Sequence, residues 1–252
     1  MTNTYYRPLV QNGPTGAPGA VSLAGGPFWF SHAERLSRTL ASEIISAEQI
    51  PDRIRNQLSA PRAPVVGLGM DRPHVMGIIN VTPDSFSDGG QFHDPDLAVR
   101  QALRMIDEGA DIIDIGGEST RPGAQEISVT DEITRVVPVI MALREALRDV
   151  DSEPQISIDT RKPDVALAAV HAGADIWNDV SGLTFDRRSE SVASDLGCPV
   201  ILMHAQGSPE TMQENPHYGH AVRDVKDWLS KRIDACEFAG IVRRDIIVDP
   251  GI

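Results

Sequence analysis

The sequence predicts an α/β fold: a TIM (β/α)8 barrel, here truncated after its sixth strand and preceded by an N-terminal extension. Three observations predict it. From Val75 onward, short apolar runs alternate with segments of helix length, the pattern of parallel βαβ units. The runs are continuous rather than alternating, as expected of strands buried on both faces. Polar residues recur at the C-terminal ends of successive runs, and a barrel gathers all its strand ends into one ring, whereas an open sheet uses only its switch point. No Gly-x-Gly-x-x-Gly follows any run, which weighs against dinucleotide binding.

The chain of 252 residues is expected to divide into an extension, 1–70, partly flexible, and a barrel domain, 71–252. In the extension, 11–27 is rich in Gly, Pro and Ala and reads as loop. Ser31 and Glu34 have the spacing of a capping box, which predicts a short helix from His32 to Ser42. A further helical turn is expected over 51–58, and a short strand over 65–68. In the barrel domain, strands are predicted at 75–80, 111–116, 155–159, 175–180, 200–203 and 246–248. Helices are predicted at 95–108 with Asp94 as cap, and at 130–147 with Thr130 as cap. A third, 163–171, has proline in its first turn and is stopped by Gly173; 189–196 is short, and 220–239 is stopped by Gly240.

The net charge of −13 argues against nucleic acid or an anionic membrane as partner. The two cysteines, Cys198 and Cys236, lack the spacing of a disulfide framework or zinc site and read as small buried apolar residues. With no apolar run of membrane-spanning length and no signal-peptide pattern at the N-terminus, a cytoplasmic protein is expected.

The polar strand ends are Asn80, Glu118 and Ser119, Asp159, Asn178 and Asp179, His204, and Asp249. Each has a plain alternative. Asp159 can cap the helix at Pro163, Asn178 and Asp179 can form an Asx-turn, and His204 can be a core histidine. Together, buried Asp and Asn can read the donor and acceptor edge of a planar heterocycle. Buried carboxylates can also stabilise a developing cation.

Six segments resemble the dihydropteroate synthase family: GIINVTPDSFSDGG at 77–90, DIIDIGGESTRPGA at 111–124, ISIDTRKPDVA at 156–166, IWNDVSG at 176–182, LMHAQGSPETMQ at 202–213 and IVDPG at 247–251. The resemblance implies a transferase of folate synthesis, a sulfonamide target. It condenses 6-hydroxymethyl-7,8-dihydropterin pyrophosphate with 4-aminobenzoate to give 7,8-dihydropteroate and pyrophosphate. It implies that Asn80 holds Mg²⁺ and the pyrophosphate, and that Asp159, Asn178 and Asp249 bind the pterin beside Met203. Thr120, with Arg121 and Pro122, falls on the family's second loop, which contacts the pyrophosphate-bearing substrate. Thr82, Pro83, Asp84, Ser85, Phe86, Ser87 and Asp88 fall on the mobile first loop over the 4-aminobenzoate site. Asp159 and Asn80 are the expected catalytic residues: Asp159 stabilises positive charge at the pterin methylene carbon as pyrophosphate departs. The resemblance further implies two more strands, on the order of 80 residues, bearing other ligand contacts and the homodimer interface. Two rivals stay open at this point: another pterin-binding barrel, such as a methyltetrahydrofolate methyltransferase, and a pterin-binding protein without catalysis.

Overall fold

Six of the apolar runs become six parallel strands joined by helices. In the computed structural model the described residues are 4–14, 17–82, 95–119, 126–148, 154–207 and 216–251. They form two compact units, Met1–Pro73 and His74–Ile252.

The first unit is built on strands. β1 (Thr4–Pro8), β4 (His32–Ser37) and β5 (Glu43–Ser46) make an antiparallel sheet in the order β1-β4-β5, and β2 (Val21–Ser22) pairs with β3 (Trp29–Phe30). Phe30, Ala33, Ile45, Ala47 and Ile50 form its core, with Ile54 and Leu58 of helix α1 (Asp52–Ser59) packed against it. The helix expected from His32 is therefore a strand. Ala33 and Leu36 are buried three residues apart, a spacing that imitates a helical face, but β4 gains ladder partners on both sides, including Tyr5 opposite Leu36. Ser31 does not cap a helix; its Oγ lies 3.0 Å from His32 Nδ1. The expected strand at 65–68 is a tight turn. Val65 and Leu68 exchange two backbone hydrogen bonds across Val66 and Gly67, both at positive φ.

The second unit holds β6 (Met76–Asn80), β7 (Ile112–Gly116), β8 (Gln155–Asp159), β9 (Ile176–Asp179), β10 (Val200–Met203) and β11 (Ile246–Asp249). Between them run α2 (Pro95–Asp107), α3 (Val129–Ala146), α4 (Pro163–Ala172), α5 (Ser189–Leu196) and α6 (Ala221–Ala239). The strand order is strictly sequential, β6 to β11. Each crossover thus advances one strand in the same direction and no switch point arises, which is barrel winding rather than double winding. The helices cover one face. Ile79, Ile113, Ile115, Ile156, Ile158, Trp177, Val200 and Leu202 share a single buried cluster with Ala98 and Ala102 of α2, Val136 and Ile140 of α3, Ala166 of α4, Ala193 of α5 and Cys236 of α6. The alternate residues of every strand face the other way, where the site lies.

Helix ends follow local chemistry. α3 starts one residue before the expected Thr130 because Ser128 is the cap, its Oγ accepting the Asp131 N–H at 3.1 Å. Gly173 and Gly240 end α4 and α6 in the left-handed conformation, as expected of glycine there. The expected cap Asp94 lies outside the described residues.

Candidate active site

Register decides which polar strand ends belong together. Asn80, Gly116, Asp159, Asn178 and Ile201 lie opposite one another across β6 to β10. Residues in register on parallel strands point to the same face, so this row stands on the face away from the helices. Met203 and Asp249 are paired two residues beyond Ile201 and Ile247, hence on the same face in the next row. The structure therefore brings Asn80, Asp159, Asn178, Met203 and Asp249 together. Thr82 is described, two residues past β6. Thr120, Arg121 and Pro122 lie outside the described residues, as do Pro83, Asp84, Ser85, Phe86, Ser87 and Asp88.

Parity removes two of the candidates. Asp179 and His204 sit one residue after Asn178 and Met203 and serve structure. Asp179 accepts hydrogen bonds from the backbone N–H groups of Ser181, at 2.7 Å, and Leu183, at 3.1 Å, and from the Ser181 hydroxyl. Burial outweighs these bonds and pushes its carboxyl up to about 6. His204 is buried between aromatic rings, edge-on to Trp228 at 5.2 Å and beside Tyr218 at 5.8 Å. Burial lowers its basicity, and its ring packs as a core side chain. Asp159 does not cap α4, whose cap position is Lys162.

Sequence reasoning passed over Asp114, which stands two residues before Gly116 on the same inner face and is only 4% exposed. Its Oδ2 accepts the Asn178 amide N–H at 3.1 Å. A carboxylate only accepts, so this bond fixes the amide with its nitrogen toward Asp114 and its carbonyl turned away. Burial raises the Asp114 carboxyl, opposed by the neighbouring Ser157 hydroxyl and Asn178 amide. The missed signal was parity: Ile113 and Ile115 read as core, which puts Asp114 on the opposite face.

The site is rich in acceptors. Asp114 Oδ1 and Asp159 Oδ1 are buried with no hydrogen-bond partner among the described residues. Leaving such atoms unpaired costs free energy that a bound donor would recover. Asp159 is raised well above the usual aspartate value, first by burial and then by the negative charges of Asp114, Asp179, Glu132 and Glu118. Asp159 Oδ2 and Asn80 Oδ1 converge over Gly116. A Cβ at Gly116 would stand 3.4 Å from the first and 3.6 Å from the second. The arrangement can accept several N–H groups of a flat ligand and favours positive charge beside Asp159.

Just outside the row, Glu118 turns toward α4 and not into the site. It accepts hydrogen bonds from Arg161 Nε and Lys162 Nζ, each at 3.0 Å. Burial pushes its carboxyl up, but these two cations outweigh it and hold it below the usual range. Among the described residues, no group of three or more His, Cys, Asp or Glu side chains is arranged to hold a metal ion. None of the described helices is long and apolar enough to cross a membrane. Cys198 and Cys236 are free and buried, and burial pushes the Cys236 thiol up to about 11.

The family of pterin binding enzymes matches this chain over residues 76–252. The dihydropteroate synthase of Synechocystis sp. is 46% identical over 181 residues, covering 72% of this chain and 61% of that protein. The chain thus spans about three fifths of the length of that relative. Among solved structures, Xanthomonas albilineans dihydropteroate synthase with 4-aminobenzoic acid superposes with a TM-score of 0.67 at 47% identity, over 76% of this chain and 66% of that one. The same enzyme in complex with 7,8-dihydropteroate gives a TM-score of 0.63 at 43% identity, over 73% and 63% of the two chains.

Proposed function

The chain belongs to the pterin-binding enzyme family, and from that premise we propose that it acts as a dihydropteroate synthase, joining 6-hydroxymethyl-7,8-dihydropterin pyrophosphate to 4-aminobenzoate. One observation carries the reading. The buried strand ends offer unpaired acceptors, Asp114 Oδ1 and Asp159 Oδ1, next to an Asn178 amide held in one orientation. The 2-amino-4-oxo edge of a pterin presents N–H donors to such a set. Asp249, whose Oδ1 is engaged by the Gly251 N–H at 2.8 Å, and Met203 line the same face.

In this reading the C–O bond between the pterin methylene carbon and pyrophosphate breaks, the electron pair leaving with the phosphate oxygen. The amine lone pair of 4-aminobenzoate then forms the C–N bond, and the nitrogen releases a proton. Positive charge builds on the methylene carbon, and Asp159 stabilises it. The surrounding carboxylates make the unliganded site costly for one more anion and favourable for a cation. Mg²⁺ fits the same donor set through Asn80 Oδ1, because Mg²⁺ takes few protein ligands and fills its shell with phosphate and water. When bound, it neutralises charge on the departing pyrophosphate. Sulfonamides are expected to compete with 4-aminobenzoate. The two buried free thiols agree with a reducing, cytoplasmic setting.

The test is titration of the folded chain with the pterin pyrophosphate and Mg²⁺, followed by addition of 4-aminobenzoate. Saturable binding and formation of dihydropteroate are expected. Binding without product overturns the catalytic part of the reading, and a folded chain that binds no pterin overturns all of it.

A further inference from the structure

The turn after β9 is held from two sides by residues outside the row of site side chains. Asp179 is fully buried and spends both carboxylate oxygens on this turn. Its Oδ1 accepts the Ser181 N–H at 2.7 Å and the Ser181 hydroxyl at 2.6 Å, and its Oδ2 accepts the Leu183 N–H at 3.1 Å. From α6, Arg232 Nε donates to the Gly182 carbonyl at 2.8 Å, while its Nη2 donates to Glu190 Oε1 at 2.6 Å and reaches the Leu183 carbonyl at 3.4 Å. Trp228, four residues before Arg232 and so on the same helix face, packs on the same spot. A Cβ at Gly182 would stand 2.5 Å from Trp228 Cη2 and 3.2 Å from the Met203 carbonyl oxygen. The turn is thus wedged between α6 and the end of β10.

The arrangement is costly. Gly182 and Leu183 both stand at φ +61°, and Leu183, buried in the core, lacks the freedom of glycine there. A carboxylate buried among backbone N–H groups adds to the cost. Strain of this kind persists only where surrounding contacts enforce it, and it clusters beside functional sites. What the turn holds lies on either side of it. Asn178 precedes Asp179 directly, and its carbonyl accepts the N–H of Thr160, the residue after Asp159, at 3.0 Å. Met203 ends β10, against which Gly182 is pressed. Asn178 and Met203 both face the site.

We infer that Asp179 and Arg232 are positioning residues that pin the Ser181–Leu183 turn from its two sides and so fix Asn178 and Met203 against Asp159 for the ring bound there. The inference rests on the proposed synthase reading, in which that ring is a pterin. Asp114 turns the Asn178 amide so that its carbonyl is free for the ring; the turn sets where that carbonyl stands. A 2-amino group donates to it, whereas a 2-oxo group in the same place sets acceptor against acceptor. The turn therefore governs discrimination between the two rings.

The experiment measures, on the full chain, Kd for 6-hydroxymethyl-7,8-dihydropterin and for its 2-oxo analogue. Arg232→Met removes the donor from the Gly182 carbonyl and strands no buried charge, since Glu190 is partly exposed to water; folding is checked by circular dichroism. The preference of wild type for the 2-amino compound is expected to fall on the order of tenfold, through weaker binding of that compound, because small misplacements of positioning groups are costly. Asp179→Asn has one acceptor oxygen where the carboxylate has two, so either Ser181 or Leu183 loses its bond. The same one-sided loss is expected, and this nearly isosteric variant decides the matter if Arg232→Met does not fold. Arg188→Gln breaks the exposed ion pairs to Asp164 and Asp186 just beyond the turn and is expected to leave both Kd values unchanged. Loosening of the fold alone weakens both rings alike. Equal losses for the two compounds, no loss for either, a wild type without preference, or a one-sided loss as large in Arg188→Gln overturn the inference. A wild-type chain that binds neither compound overturns instead the synthase reading on which it rests.

Discussion

Asp159→Asn separates what Asp159 does for the reaction from what it costs the fold. The carboxyl has one buried oxygen without a partner and stands among Asp114, Asp179, Glu132 and Glu118. The amide is nearly the same size, carries no charge and brings two N–H donors to this acceptor-rich place. Relief of one uncompensated buried polar group is worth about 1–3 kcal/mol. For a unit of this size that corresponds to a rise in Tm of roughly 2–12 °C. The sign with pH follows from the direction of the shift. Because the folded-state pKa of Asp159 is raised, its favourable contribution is complete below the ordinary aspartate value and is lost as pH rises through the folded value. The advantage of Asp159→Asn is therefore absent in acid and grows as the pH rises through the raised folded value. Catalysis moves the opposite way: loss of a group aimed at developing charge costs about 10²–10³ in kcat, with a smaller loss in pterin affinity. The assays are thermal melts of both proteins at pH 4 and pH 8, with dihydropteroate formation measured alongside. A variant less stable than wild type at pH 8 would refute the account of Asp159 as an anion kept among anions. Equal losses in turnover and pterin binding would refute its role toward the cation.

Three further outcomes are expected. Gly116→Ala should be accommodated, since the added Cβ meets Asp159 Oδ2 at 3.4 Å and Asn80 Oδ1 at 3.6 Å, whereas Gly116→Val should fold yet lose pterin binding because its methyls fill the space between those oxygens; titration of both variants checks this. Asp114→Asn frees the Asn178 amide to turn over, so binding of the 2-amino pterin should fall relative to its 2-oxo analogue, measured as a ratio of Kd values. Asp179, raised to about 6 in the fold, should make wild type lose roughly 2 kcal/mol of stability between pH 4 and pH 7 that Asp179→Asn does not lose; urea unfolding of both proteins at the two pH values measures the difference.

Much of the second unit was legible because its signals are local. Continuous apolar runs, a proline opening α4 and glycines closing α4 and α6 act within a few residues of where they stand. The first unit was not, because its structure is made of distant pairings. Nothing near His32 announces that Thr4–Pro8 will lie beside it, and Ser31, Ala33, Glu34 and Leu36 together spell a short helix. Cross-strand partners outvote local propensity there, as they often do in sheets of short strands.

The site shows how far strand ends alone can be trusted. Polar character at the end of a strand picked out Asn178 with Asp179, and His204 where the resemblance pointed to Met203 beside it, but side chains on a strand alternate, and only one of each pair can face the site. The deciding information was present in the runs themselves. Ile156 and Ile158 go to the helices, so Asp159 cannot; Ile113 and Ile115 do the same, so Asp114 and Gly116 cannot. Trp177 in the core likewise sends Asn178 to the open face and Asp179 back toward the helices, where it ends as the anchor of the Ser181–Leu183 turn. Counting parity from the buried isoleucines yields one row, Asn80, Gly116, Asp159 and Asn178, with Asp114 beneath it. What parity cannot supply is the Lys162 cluster, because Lys162 reaches Glu118, Ile127 and Glu132 across a connection whose path no periodicity encodes.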